Sequence, residues 1–174
     1  MSAPHRRTAM PLSSSSTSIP QGFRFAGLHA GLKKTRLDLA LLACDRPASM
    51  AACFTQNPVR AACIDHARAK LPRGIARAVV INSGNANALT GAQGARDDLD
   101  MAAAVAVALE VSSDDVLTCS TGVIGVPLPI AKITEAAPSL VNALAEDAAP
   151  FAEAILTKEQ EQPQHQLVDN KHEF

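Results

Sequence analysis

The sequence predicts a mixed α/β domain, and three observations carry that prediction. Short apolar runs bounded by Gly, Pro, Asn or Ser recur at strand length, and alanine-rich stretches at helix length separate them. Two polar, glycine-bearing strings sit where strands run into loops. The chain has 174 residues and is 47% hydrophobic, enough for one ordinary core. With no Trp, no Tyr and five Phe, that core must rest on alanine and aliphatic packing rather than on large rings.

The elements follow in order. "DLALLACD" (38–45) and "MAACFTQ" (50–56) read as two strands, with Arg46-Pro47 as the turn between them. "AACIDHARAKL" (61–71) leads out of a strand into a short helix. Ala76 to Ile81 form the next strand, which enters the loop string "NSGNANALTGAQG". Residues 95–111 read as a helix, alanine-rich, acidic in the first turn where the helix dipole favours Asp, and ended by Ser112-Ser113. "DDVLTCS" (114–120) is a strand and "TGVIGVPLP" the loop after it. "PIAKITEAA" and "SLVNALAEDAAPFAEAILT" supply the last helices, with Pro150 marking a bend or break in the second. The order of strands in the sheet is not readable from these elements.

The ends differ in composition from the middle. Residues 1–20 contain "SSSSTS" and carry Arg6 and Arg7 with no acid; they read as a disordered leader, although composition alone also allows a transit peptide. Residues 158–174 are rich in Gln and charge and read as a divergent, disordered polar tail. The folded domain is therefore expected over residues 21–157.

Charge and cysteine usage exclude several classes. A formal net charge of −1 leaves no footprint for nucleic acid or for an anionic membrane surface, so neither is expected as a partner. No apolar stretch approaches the length of a bilayer span. Cys44, Cys53, Cys63 and Cys119 have no C-x-x-C spacing, and His29 and His66 stand at none of the offsets of a zinc site. Reduced core thiols in a cytoplasmic protein, with no metal, are the expectation.

The two junction strings carry the chemistry. In the first, Gly84, Gly91 and Gly94 permit positive φ, while Asn85 and Asn87 tolerate left-handed backbone and bond it locally. A phosphate cradle needs G-x-G-x-x-G or a P-loop lysine, and neither is present, so a rigid turn that shapes a site is the better reading. The second string places Thr121 and Gly122 at the end of a buried strand. A hydroxyl and an exposed glycine amide there offer two preorganised donors, the arrangement of an oxyanion hole. A turn in which the Thr caps its own backbone fits the same spacing.

From "PQGFRFAGLHAGLKK", through "DLALLACDRPASMAACFTQNPVRAA" and "AVVINSGNANALTGAQGARD", to "STGVIGVPLPIAKI" and "FAEAILT", the chain resembles the N-terminal half of the ornithine acetyltransferase family, the bifunctional glutamate N-acetyltransferases of arginine biosynthesis. The likeness runs almost unbroken from Gln21 to Thr157, and its long strings stand in the family's order. It implies a layered α-β-β-α fold, here only the α-chain part. It implies a precursor that cleaves itself into α and β chains, assembled as an α2β2 heterotetramer, with the new N-terminal Thr of the β chain as nucleophile. Such a Thr carries its own general base in its α-amino group, so no His or Asp need serve. The acetyl group passes from N-acetylornithine, or in some members from acetyl-CoA, through an acetyl-enzyme to glutamate; no cofactor is implied.

Residue by residue, the resemblance makes Thr121 and Gly122 the oxyanion hole and Thr157, the match to the family's "AI-T" string, a substrate contact. The rigid turn expected to shape the site comprises Asn82, Ser83, Gly84, Asn85 and Asn87. Departures begin after Thr157, where "KEQEQPQHQ" replaces the family's Thr, Asp and Pro-Lys. No nucleophilic Thr of the β-chain type is found in the sequence. Two readings therefore stand: the oxyanion-side component of an acetyltransferase that works with a β chain, or a truncated, non-catalytic relic or interaction protein that keeps the α fold. A homologous amidopeptidase with an N-terminal nucleophile shares the general fold but lacks "NSGNANA".

Overall fold

A computed structural model describes residues 19–157; the expected leader, apart from its last two residues, and the expected polar tail lie outside the described residues. Four strands form one mixed sheet in chain order: β1 (Phe23–Leu28), β2 (Leu39–Ser49), β3 (Ile75–Asn85) and β4 (Val116–Val123). β1 with β2 and β2 with β3 pair antiparallel, and β3 and β4 are parallel. A parallel pair needs a crossover, which here is α2 (Gly91–Leu109). The remaining helices are α1 (Ala62–Lys70), α3 (Ile130–Asn142) and α4 (Ala149–Ile155). The mixed α/β expectation holds.

The register sorts side chains between the two faces. Ala26, Leu39, Leu41, Ala78, Val80 and Val116 point to one face and meet Met101, Val105, Ile133 and Leu140 of α2 and α3 in the main core. The opposite face carries α4. Phe25 packs edge-on against Phe151 with ring centroids 5.6 Å apart, and Ser83 donates a hydrogen bond to the Ala154 carbonyl. Gly27 makes this docking possible, because a Cβ there would lie 2.0 Å from the Pro150 carbonyl oxygen. Gly27→Ala is expected to destabilise the chain by roughly 2–3 kcal/mol and loosen α4. Denaturant titration with limited proteolysis checks this: new cleavage in α4 is the expected result, and an unchanged midpoint and digest would refute it.

The structure corrects several boundaries. β1 was not read from the sequence. β2 runs through Arg46-Pro47 instead of turning there, and residues 50–56 form no strand. The reason is a bulge: the pairing moves from Ala43↔Ala78 to Ala48↔Ala76, so Pro47 sits where no ladder amide is needed. Arg77 donates from Nε to the Cys44 carbonyl at 3.0 Å and from Nη2 to that of Asp45 at 3.1 Å, satisfying the bulged backbone. No strand precedes α1. β3 continues through Asn85 and β4 through Val123, so the first four residues of one expected loop and the first three, Thr121 to Val123, of the other are strand. α2 starts at Gly91, not at residue 95, and ends at Leu109. α3 continues through Pro138, and Pro150 opens α4, in the first turn where its missing N–H costs nothing.

Candidate active site

The candidate site lies where β3 and β4 end side by side. Ser83 pairs with Thr121 and Gly84 with Gly122. Both glycines have positive φ, 114° and 132°, and their backbones nearly touch: a Cβ on Gly122 would lie 2.3 Å from the Gly84 carbonyl carbon. Only glycine fits both the angle and the gap.

A buried polar network brackets this pair. Ser120 Oγ donates to Asn82 Oδ1 at 2.6 Å, and Asn82 Nδ2 donates to the Asn85 carbonyl at 2.8 Å. Asn85 Nδ2 reaches across to the carbonyls of Val126 and Pro127, at 3.0 and 3.1 Å, while its Oδ1 accepts from the Asn87 amide at 2.8 Å. Asn87, left-handed at φ 45°, donates through Nδ2 to the Gly94 carbonyl and accepts through Oδ1 from Thr90 Oγ1, both at 2.8 Å. Thr121-Gly122 is thus held from Ser120 on one side and from residues 126–127 on the other. Fully bonded buried networks of this kind rigidify what they enclose. The three Asn side chains are therefore committed to the protein's own backbone and side chains, which suits shaping a site better than cradling a phosphate.

Thr121 differs. Among the described residues its hydroxyl has no hydrogen-bond partner, although its neighbours Ser83 and Ser120 both do. A Thr that capped its own turn would show the bond. The hydroxyl is half-buried at the mouth of the site and is available to a ligand. Beside it, Leu32, Gly84, Asn85, Val123, Val126, Pro127 and Pro129 line a shallow hollow of about 290 Å³. A larger hollow, about 480 Å³, lies away from this site along α1 and α2.

The end of α4, just before Thr157, meets β3 by a separate route. Ser83, the ladder neighbour of Thr121, bonds Ala154 near the end of α4, and Thr157 lies three residues further on. The end of α4 is also tied to the loop before β2: Lys33 Nζ donates to the Leu156 carbonyl at 2.6 Å. That loop is organised by Asp38, fully buried, whose carboxylate accepts the amides of Ala30, Leu32 and Lys33 at 2.7–2.8 Å. Sequence reasoning missed Asp38, Lys33 and Ser120. For Asp38 the signal was present, an acid opening an otherwise apolar strand. For Lys33 there was none, because a lysine on a surface loop resembles any other.

Among the described residues no group of three or more His, Cys, Asp or Glu is placed to hold a metal, the four cysteines are unbonded to one another, and no helix is long and apolar enough to cross a membrane.

Two solved structures share this architecture. The ornithine acetyltransferase of Mycobacterium tuberculosis in complex with ornithine superimposes with a TM-score of 0.77 at 40% identity, over 81% of this chain and 78% of that one. The arginine biosynthesis bifunctional protein ArgJ of Bacillus halodurans does so with 0.73 at 38%, over 79% and 73%. The fold and the strings at the strand ends are those of an ornithine acetyltransferase-like protein. Residues 24–170 match the model of the ArgJ family, and the chain belongs to that family. Among curated relatives, the arginine biosynthesis bifunctional protein ArgJ of Caldanaerobacter subterraneus subsp. tengcongensis is 52% identical over 66% of this chain and 28% of its own length. That of Thermus thermophilus is 48% identical over 80% of this chain and 36% of its own. The chain thus spans about a third of the curated relatives it matches.

Proposed function

We propose that this chain is the oxyanion-stabilising, α-chain portion of a cytoplasmic glutamate N-acetyltransferase, acting with a β chain in an α2β2 assembly. The β chain carries the nucleophilic Thr. Its hydroxyl attacks the acetyl carbonyl of N-acetylornithine, or of acetyl-CoA as an alternative donor substrate, and the proton goes to its own α-amine. The carbonyl oxygen becomes negative and is met by the Thr121 hydroxyl and the Gly122 amide. Collapse of the intermediate expels the ornithine amine, protonated as it leaves, and the amine of glutamate then takes the acetyl group by the reverse chemistry. Thr157 contacts the amino-acid substrate, and Asn82, Ser83, Gly84, Asn85 and Asn87 hold the backbone that presents the donors.

The observation that carries this reading is the unclaimed Thr121 hydroxyl beside a closely packed, all-glycine pair inside an otherwise fully bonded network. The lengths support a two-chain protein: this chain fills 78% of the solved M. tuberculosis chain but only 28% and 36% of two curated relatives. The test is reconstitution. This chain is co-expressed with the C-terminal part of a close ArgJ relative, starting at its nucleophilic Thr, and transfer of labelled acetyl from N-acetylornithine to glutamate is followed. Turnover by the pair and by neither part alone is expected; a stable complex without turnover would favour a non-catalytic interaction protein.

A further inference from the structure

Helix α1 lies along β4 and touches it at every second residue. Lys70 Nζ donates to the carbonyl of Val116 at 2.8 Å and to that of Ser113 at 2.5 Å. His66 Nδ1 lies 3.3 Å from Thr118 Oγ1. Burial first, and then Asp98, push the Cys63 thiol above its ordinary pKa, with a backbone hydrogen bond from Ser120 opposing both. Residues 63, 66 and 70 share one face of a helix, and residues 116, 118 and 120 share one face of a strand. The two periodicities are matched up to the residue before Thr121.

The middle contact also reaches α2. His66 Nδ1 stands 2.5 Å from Asp98 Oδ2, with the histidine side chain 6% exposed and the carboxylate 1%. That nitrogen is committed to the carboxylate, and Thr118 Oγ1 approaches the same nitrogen from the strand. Both contacts use one nitrogen, whereas a hydroxyl–His–Asp relay needs the hydroxyl and the carboxylate on opposite nitrogens. Nε2 and Asp98 Oδ1 have no partner among the described residues. The cluster is therefore not built to activate Thr118. Burying such a pair is costly relative to an apolar replacement, so its presence calls for a role other than stability.

We propose that His66 and Asp98 are positioning residues: they lock β4 between α1 and α2 and so hold Thr121 and Gly122 in register for the developing negative charge. The role rests on the acetyl-transfer reading, but its first test does not. A double variant, His66→Phe with Asp98→Leu, removes both polar partners without leaving a buried charge unpaired. It should melt close to the wild type, while amide hydrogen exchange at Ser120–Val123 rises about tenfold and β1 and β2 are unchanged. His66→Asn keeps a donor near the Nδ1 position and should restore slow exchange. Unchanged exchange at Ser120–Val123, or an equal rise throughout the sheet, would overturn the proposal. In the reconstituted pair, the double variant should lower kcat about tenfold at constant KM; a wild-type pair without turnover would count against the acetyl-transfer reading, and exchange would still decide the positioning.

Discussion

Thr121→Val is expected to slow acetyl transfer by the reconstituted pair about a hundredfold or more, the usual cost of one lost oxyanion donor. Valine keeps the branched shape that suits a strand and removes only the hydroxyl. Because that hydroxyl bonds nothing among the described residues, its loss leaves no orphaned partner, and the melting temperature should hold. The deficit should fall on kcat with KM nearly constant, since the donor tightens only as charge develops in the transition state. Thr121→Ser should keep much of the rate, with a freer rotamer. Steady-state kinetics alongside thermal melts decide the matter. A variant with full kcat and a lowered melting temperature would make Thr121 a structural residue.

Gly122→Ala is the second large effect, and it acts on the fold before it reaches the chemistry. The backbone there has φ 132°, a region that residues with a Cβ rarely enter, at a cost of roughly 1–3 kcal/mol. The added methyl would also lie 2.3 Å from the Gly84 carbonyl carbon and 2.6 Å from the Asn85 nitrogen. Both are backbone atoms of the neighbouring strand, fixed by the Asn82–Ser120 and Asn85–Val126 bonds, so they cannot turn aside as a side chain would. Overpacking of that kind adds roughly another 1–3 kcal/mol. A loss of several kcal/mol is a large share of a domain's stability. Gly125→Ala is the control: its φ is also positive, at 78°, but the space around it is open, so only the backbone strain applies. Urea titration of the two variants should separate them clearly. Equal, small effects would mean that β3 and β4 do not approach as described.

Much of the candidate site was legible because its meaning is local. A Thr-Gly at a strand end, and glycines interleaved with asparagines, say where a chain needs unusual backbone and spare donors. The functional reading came from likeness to a known family, since spacing alone favoured a capped turn. The unbonded Thr121 hydroxyl speaks against the capped turn, and it is visible only once the neighbouring strand is in place.

The sequence by itself determined the mixed α/β class, β3, α2 and β4 in outline, and the Thr-Gly pair, because strand and helix periods and glycine punctuation are set within a dozen residues. Only the tertiary structure decided the rest. Pro47 is tolerated in β2 because Arg77, 30 positions on, bonds the bulged carbonyls. Asn82–Asn85 and Thr121–Val123 read as loops because polar residues and glycine disfavour an isolated strand, but each segment gives the other a ladder partner, and pairing outweighs propensity. Asp38, Ser120 and the His66–Asp98 pair took their roles from partners that the fold supplies, Asp98 lying 32 residues from His66. A buried polar group is defined by what satisfies it, and that partner is set by packing, not by neighbours in the chain.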